Sequence, residues 1–365
     1  MIFKKNIGIL CATLTLSLAQ EVKWMSIGDL HNWYSAAGCE IEVGRTGQVS
    51  DQQDGLRYPA FYRVQDNQAA KGLWLGASNF YDPVVDKNYD KKVVHAGPRH
   101  LDIENETIPI EITMEGKYDH PNVFVDGDPA TNLQYLDQVD NVEPNLSSDR
   151  KINNVVQTSV GVQMKRTIYA FAHPQHQNYH IQEYIFTNNG CFDKDCNTSY
   201  EQTLEDFQIY LQYRYAISRE GMVYDGNWLP QSAAWGHNTM NDVIGENPEA
   251  PSANDQFYDD GEIIRGLYSW QGYHSDASFD NVGGPNAPGE GHLGAAQFVG
   301  VVTLHADTGP NDNTDDINQP STTWFITSDD PTTSGNDQYN ETKSINEYNN
   351  YMTVGDPEQS QAEIV

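Results

Sequence analysis

The side chains best able to do chemistry in this 365-residue chain fall in three stretches. His173-Pro-Gln-His176-Gln-Asn-Tyr-His180 gathers three imidazoles, and three would fill all but one position of a zinc site. Pro174 and the strand-like flanks make the stretch a hairpin turn, so its spacings do not bring the rings onto one helical face. Exposed turn histidines are the simpler reading. Asp307, Asn311, Asp312, Asp315 and Asp316 offer hard oxygens of the kind calcium takes. Their spacing is not that of an EF-hand. Asp259-Asp260-Gly261 is a second acidic loop, and a solvated loop is the alternative for both. Asn227-Trp-Leu-Pro-Gln-Ser-Ala-Ala-Trp-Gly-His-Asn238 sets two Trp beside amide and imidazole groups. The rings of Trp228 and Trp235 can stack on sugars while His237 and Asn238 bond hydroxyls, with Tyr268, Trp270 and Tyr273 as neighbours. The competing reading has these Trp plug the end of a β domain.

Catalytic motifs are missing from the sequence. There is no Gly-x-Ser-x-Gly elbow, His-Glu-x-x-His helix, phosphate loop or dinucleotide fingerprint. Glycoside hydrolysis needs two carboxylates at a defined separation, and with 52 acidic residues any pair can be put forward. No residue is assigned a catalytic role.

The elements that must position these groups read as β-strands. Thr158–Ala172, Tyr179–Thr187 and Phe207–Ile217 are three consecutive strands. In the third, Phe207, Ile209, Leu211, Tyr213 and Tyr215 alternate with Gln208, Tyr210, Gln212 and Arg214, the pattern of a sheet covered on one side. Further strands are read at Leu73–Leu75, Lys92–Ala96, Ile108–Tyr118, Glu262–Tyr273, Ala295–His305 and Thr322–Thr327. The expected fold is all-β, a large two-sheet antiparallel β-sandwich with long loops over 20–330. Within it 20–105 reads as an irregular, aromatic-rich lead-in, and Leu133–Asp149 as polar with a short helix or none. The tail 331–365 reads as polar, with weak helical character around Ile345.

Two charges interrupt apolar faces. Arg166 lies between Met164 and Ile168, and Glu183 between Ile181 and Ile185, so a simple hairpin would pair them as a buried ion pair. Cys191 and Cys196 sit in one short connection, the arrangement of a local disulfide in an exported protein; a metal-binding pair is the alternative. Cys39 is left buried and free, or paired outside the chain. Lys4, Lys5, the apolar run Ile7–Leu18 and Ser17-Leu18-Ala19 have the order of a secretory signal peptide over 1–19. No second apolar run follows, so the mature chain is expected to be exported, secreted or at a cell surface, without membrane insertion. The net charge of −31 excludes nucleic acid and anionic membranes as favoured partners.

Leu30-His-Asn-Trp-Tyr-Ser-Ala-Ala-Gly-Cys-Glu40, Gln53-Asp-Gly-Leu56, Glu183-Tyr-Ile-Phe-Thr-Asn-Asn-Gly190 and Trp235-Gly-His-Asn-Thr-Met240 resemble a group of uncharacterised secreted bacterial proteins. The resemblance covers most of the chain. Those proteins often carry a C-terminal sorting module of the type IX secretion kind, which Gln361-Ala-Glu-Ile-Val365 does not match. The tail is therefore read either as truncated or as belonging to a chain exported by its signal peptide alone. The resemblance implies no activity and no site residue. The expected function is a non-catalytic structural or binding protein, its partner a glycan or another cell-surface protein. A carbohydrate-active protein using the Trp228–Trp235–His237 loop is the alternative.

Overall fold

The computed structural model describes residues 21–40, 56–61, 66–96, 106–120, 124–129, 137–215, 222–224, 227–229, 239–244, 265–271, 298–320 and 338–352. The signal stretch 1–19 and the strand expected at Thr322–Thr327 lie outside them. The described chain is all-β apart from one short helical segment. A first hairpin pairs β1 (Val22–Met25) with β2 (Asn32–Ser35). One large sheet is built on the 17-residue β4 (Asp66–Asp82). β13 (Glu205–Tyr215) pairs along one side of it, while β3 (Leu56–Arg57) and β5 (Lys87–Ala96) share the other. The second large sheet runs β12 (His180–Asn188), β11 (Val162–Ala170), β10 (Arg150–Thr158), β6 (Thr107–Gly116) and β9 (Asn141–Val142). It is antiparallel except where β9 joins β6.

Smaller sheets complete the list. β7 (Phe124–Val125) pairs with β8 (Asp128–Pro129), β14 (Met222–Tyr224) with β15 (Asn227–Leu229), and β19 (Asp307–Gly309) with β20 (Asp312–Asp315). β16 (Thr239–Ile244), β17 (Arg265–Gln271) and β18 (Phe298–Thr303) form a three-stranded antiparallel sheet. Near the end, α1 (Glu341–Glu347) continues into a π-helical turn (Tyr348–Met352), and Asn340 caps its start by accepting from Lys343 N. The helical character read around Ile345 is thus a real helix.

The two large sheets share one core. Leu73, Leu75, Ala77, Phe80, Val94 and Ala96 of β4 and β5 pack with Val156, Val162 and Met164 of β10 and β11, and with Trp24, Trp33 and Phe192. A second cluster joins Met25 and Tyr34 to Ile112, Met114, Ile152, Ile168 and Ala170. A third puts Trp74 and Val93 under Tyr348 and Met352 of the helical tail. The lead-in is therefore not irregular: it supplies β4, the strand on which one large sheet is built. Leu73, Leu75 and Ala77 face the inner core while Trp74 and Gly76 meet the tail. A strand buried on both faces has no period-two pattern to read.

Three further expectations change. The first long strand does not start at Thr158; β10 ends there, turns through Gly161 at φ +73°, and β11 follows. β10 escaped detection because its inward row, Arg150, Ile152, Asn154 and Val156, is half polar. β13 is also covered on the side expected to be open, where Tyr210 meets the tail cluster; in the row expected to be covered, Phe207 packs on the core and Tyr215 is buried, but Ile209 and Leu211 are 45% and 38% exposed.

The proposed Arg166–Glu183 pair does not form. Arg166 stands opposite Tyr184 and Glu183 opposite Thr167, so the two side chains leave opposite faces of the sheet. Ile181 and Ile185 share the outward row of Glu183 and are 48% and 47% exposed. Arg166 is fully buried, and its two terminal nitrogens donate to oxygens instead: Ser35 O at 2.8 Å, Gly38 O at 3.0 Å, Cys39 O at 3.3 Å and Asn154 Oδ1 at 3.0 Å, while Nε meets no acceptor among the described residues. The Tyr34 ring lies 5.4 Å from its guanidinium. A charge that finds several oriented dipoles does not need a carboxylate.

Candidate functional site

Of the residues expected to bind a glycan, Trp235, His237 and Asn238 lie outside the described residues. Trp228 belongs to β15, opposite Val223. Trp270 sits on β17, and the alternation of that strand puts Tyr268 and Trp270 in one row. The register brings Phe298 of β18 opposite Trp270 and Gly300 opposite Tyr268. The three rings form a near-parallel ladder: Tyr268 and Trp270 are 5.3 Å apart at 26°, Trp270 and Phe298 6.4 Å apart at 24°. Phe298 is 61% exposed, and Val302 continues the outward row. Gly300 is required at its position, because a Cβ there would stand 2.3 Å from Leu267 O of the paired strand. Sequence reasoning found Trp270 but missed Phe298, whose outward face is set by the pairing of β17 with β18.

Of the acidic residues considered for calcium, Asp259 and Asp260 lie outside the described residues, and Asp307, Asp312, Asp315 and Asp316 are each engaged nearby. Asp315 grips Arg265 with both oxygens, at 2.7 and 2.8 Å, and Asp307 meets His305 at 2.8 Å. Asp312 accepts from Thr314 N and Oγ1, and Asp316 from the Asn318 and Gln319 side chains. The Thr314 hydroxyl at Asp312, the Ala306 N–H and then Arg265 at Asp315, and the Asn318 N–H at Asp316 hold these carboxyls below the ordinary range. Among the described residues no group of three or more His, Cys, Asp or Glu is gathered as a metal site requires.

The histidines divide in the same way. His173 and His176 stay in the turn with rings 5.6 Å apart, and His176 meets the Tyr179 hydroxyl. His180 turns inward, with Nδ1 2.9 Å from the Tyr34 hydroxyl, and burial pushes it down to about 4. Cys191 and Cys196 are joined as a disulfide with Cα atoms 4.9 Å apart. Cys39 is buried and free, and burial pushes its thiol up to about 11.

Two buried polar clusters were not foreseen. In the first, Glu40 accepts from Asn32 (2.6 Å) and Gln68 (2.7 Å) on one oxygen, and from Gln182 (3.2 Å) and Lys71 (3.4 Å) on the other. Burial alone would raise the Glu40 carboxyl, but Lys71, Arg166 and these amides bring it below its usual value. In the second, His95 lies between two buried carboxylates, Glu106 at 2.7 Å and Glu347 at 3.2 Å, with Trp74 edge-on to its ring. Burial opposes its charge, yet the two carboxylates raise it to about 9. Beside it Lys92, fully buried, meets Asp82 at 2.9 Å and Gln338 O at 2.8 Å. Both clusters are buried, whereas the ladder ends in a ring at the surface.

The chain matches no family model, no curated protein and no solved structure. The site therefore rests on its own geometry.

Proposed function

We propose that this chain is an exported, non-catalytic binding protein that takes a glycan along the Tyr268–Trp270–Phe298 ladder. The carrying observation is the set of near-parallel rings on one side of a three-stranded sheet, ending in the exposed Phe298. An aromatic face stacks on the C–H face of a pyranose, while amphipathic Trp and Tyr keep a polar atom for hydroxyls. Rings carried on paired strands are held in place before the ligand arrives, so little ordering entropy is lost on binding. The signal-like 1–19 stretch supports export, and the net charge of −31 favours a neutral saccharide over a polyanionic one.

Affinity electrophoresis of the purified chain through gels holding neutral β-linked polysaccharides tests this reading. Retardation is expected for the native protein and is expected to fall at least tenfold in Trp270→Ala and Phe298→Ala, with circular dichroism unchanged. Equal mobility in every polysaccharide gel, or retardation that survives both substitutions, refutes it. Repeating the run with EDTA reports on calcium, and released sugar would move the chain to the carbohydrate-active class.

A further inference from the structure

The outer face of the β13–β4–β5 sheet is a groove filled by the chain's own tail. Its floor is Trp74 and Val93, with Tyr210 alongside. Gly76 opens the centre: a Cβ there would stand 2.8 Å from Tyr348 Cδ2 and 3.0 Å from Met352 Sδ, so a larger residue would block the helical segment. The rim is cationic, in a chain with only 21 Lys and Arg against 52 Asp and Glu. β5 supplies Lys91 and His95 on this face and Lys87 at its start, while Lys92 reaches the tail's first residues from the inner row. What lies in the groove is acidic and aromatic to match. Glu341 meets Lys87 at 3.1 Å, and Glu347 meets His95 at 3.2 Å. The Tyr348 ring lies 4.3 Å from the Lys91 ammonium, and Tyr339 lies 4.7 Å from that of Lys92. Ser159 bonds the Gln338 side chain at 2.6 Å.

We propose that this groove is a receptor for an acidic helix, and that the 338–352 segment of one chain seats in the groove of a second copy. Three observations carry the step. The groove and its occupant are complementary in shape and charge, and every copy has both. The occupant contributes no strand pairing to the sheet beneath it, so it can leave without undoing a ladder. A seven-residue helix is well below the roughly 12–15 residues at which isolated helices become marginal. The groove, not the segment, supplies the order. Residues 321–337 separate the tail from Pro320, and seventeen residues can span up to about 60 Å when extended. Because groove and tail are different surfaces, exchange links copies head to tail, closing as a reciprocal swap or continuing as an open chain. Because the tail is covalently joined to its own groove, that groove is favoured over a second copy's in dilute solution.

Two full-length variants separate donor from acceptor. Gly76→Leu blocks the groove and leaves the tail intact. Tyr348→Ala/Met352→Ala leaves the groove open and spoils the tail. Each alone is expected to be monomeric by light scattering. Mixed at about 50 µM, they are expected to form a one-to-one heterodimer. Gly76→Ala, whose single methyl already meets Tyr348, is the gentler acceptor block if the Leu variant does not fold by circular dichroism. Folded variants that stay monomeric in the mixture overturn the proposal. So does a dimer that forms when both chains carry the spoiled tail.

Discussion

Two sets of buried charge flank β4, and they differ in where their partners come from. On the inner side Glu40, Lys71 and Arg166 are met by the first hairpin, its following turn and strands of the two large sheets. Every partner there already belongs to the sheets or to the hairpin packed between them. In the other set His95, on the outer face with Trp74 and Val93, and Lys92, in the inner row with Val94 and Ala96, divide their contacts. Glu106 and Asp82 come from the sheet side, whereas Glu347 and the Gln338 carbonyl come from the tail. Both sets obey the rule that a buried ion must be met by charge or dipoles. The inner one pins the fold to itself. The outer one pins a separate segment to the fold.

The largest effect that would test this contrast lies on the inner side. Lys71→Met leaves Glu40 buried beside Arg166 with one cation removed, and breaking a buried pair costs about 3–5 kcal/mol. Glu40→Gln together with Lys71→Met removes both charges, keeps an acceptor for Asn32 and Gln68, and is expected to recover more than half of that loss. Urea unfolding of the two single variants and the double variant measures the difference. A loss below about 1 kcal/mol for Lys71→Met would make the inner set an ordinary surface network.

The outer set should respond to pH where the inner one does not. His95 titrates at about 9 in the folded chain and near 6.5 when unfolded. Its contribution is therefore fully present below pH 6.5 and is lost as pH rises through 9. The groups facing it are Glu106, Glu347 and the Trp74 ring, with Lys343 behind Glu347 at 3.7 Å. A shift of this size corresponds to on the order of 3 kcal/mol. Wild type is expected to lose that much relative to His95→Gln between pH 6.5 and 10, and Glu347→Gln to lose about half. If wild type and His95→Gln run parallel across the window, the latch is not held by the histidine charge.

The same contrast explains what could be read in advance. The inward row of β11 was legible because Val162, Met164, Ile168 and Ala170 alternate cleanly around Arg166. The disulfide was legible because Cys191 and Cys196 are close in sequence. Only Leu73–Leu75 of β4 was legible, because the strand is buried on both faces, and β10 was hidden by Arg150 and Asn154 in its inward row. β12 misled for a related reason. Its inward row is His180, Gln182, Tyr184 and Phe186, which serves the polar inner set, while its two isoleucines face out. His95, Glu106 and Glu347 carry no shared motif, and only the docked tail brings the last of them to the histidine. At the candidate site, Trp270 was visible as an aromatic of the strand read at Glu262–Tyr273, but the ladder needed the register of β17 with β18.

The smallest effect sharpens the contrast from outside both sets. Glu183 has the neighbours in sequence that suggested a buried partner for Arg166, yet it stands on the solvent side of β12, across from Thr167. An exposed carboxylate without a structural partner leaves stability within about 0.5 kcal/mol when neutralised. Glu183→Gln is therefore expected to unfold at the wild-type urea midpoint within that margin. Were Glu183 the counter-charge of Arg166, its neutralisation would leave a buried guanidinium uncompensated and cost about 3–5 kcal/mol. A midpoint shift of that size would move Arg166 out of its cage of carbonyls and into an ion pair. The inner set would then depend on an edge strand rather than on the turn from Ser35 to Glu40.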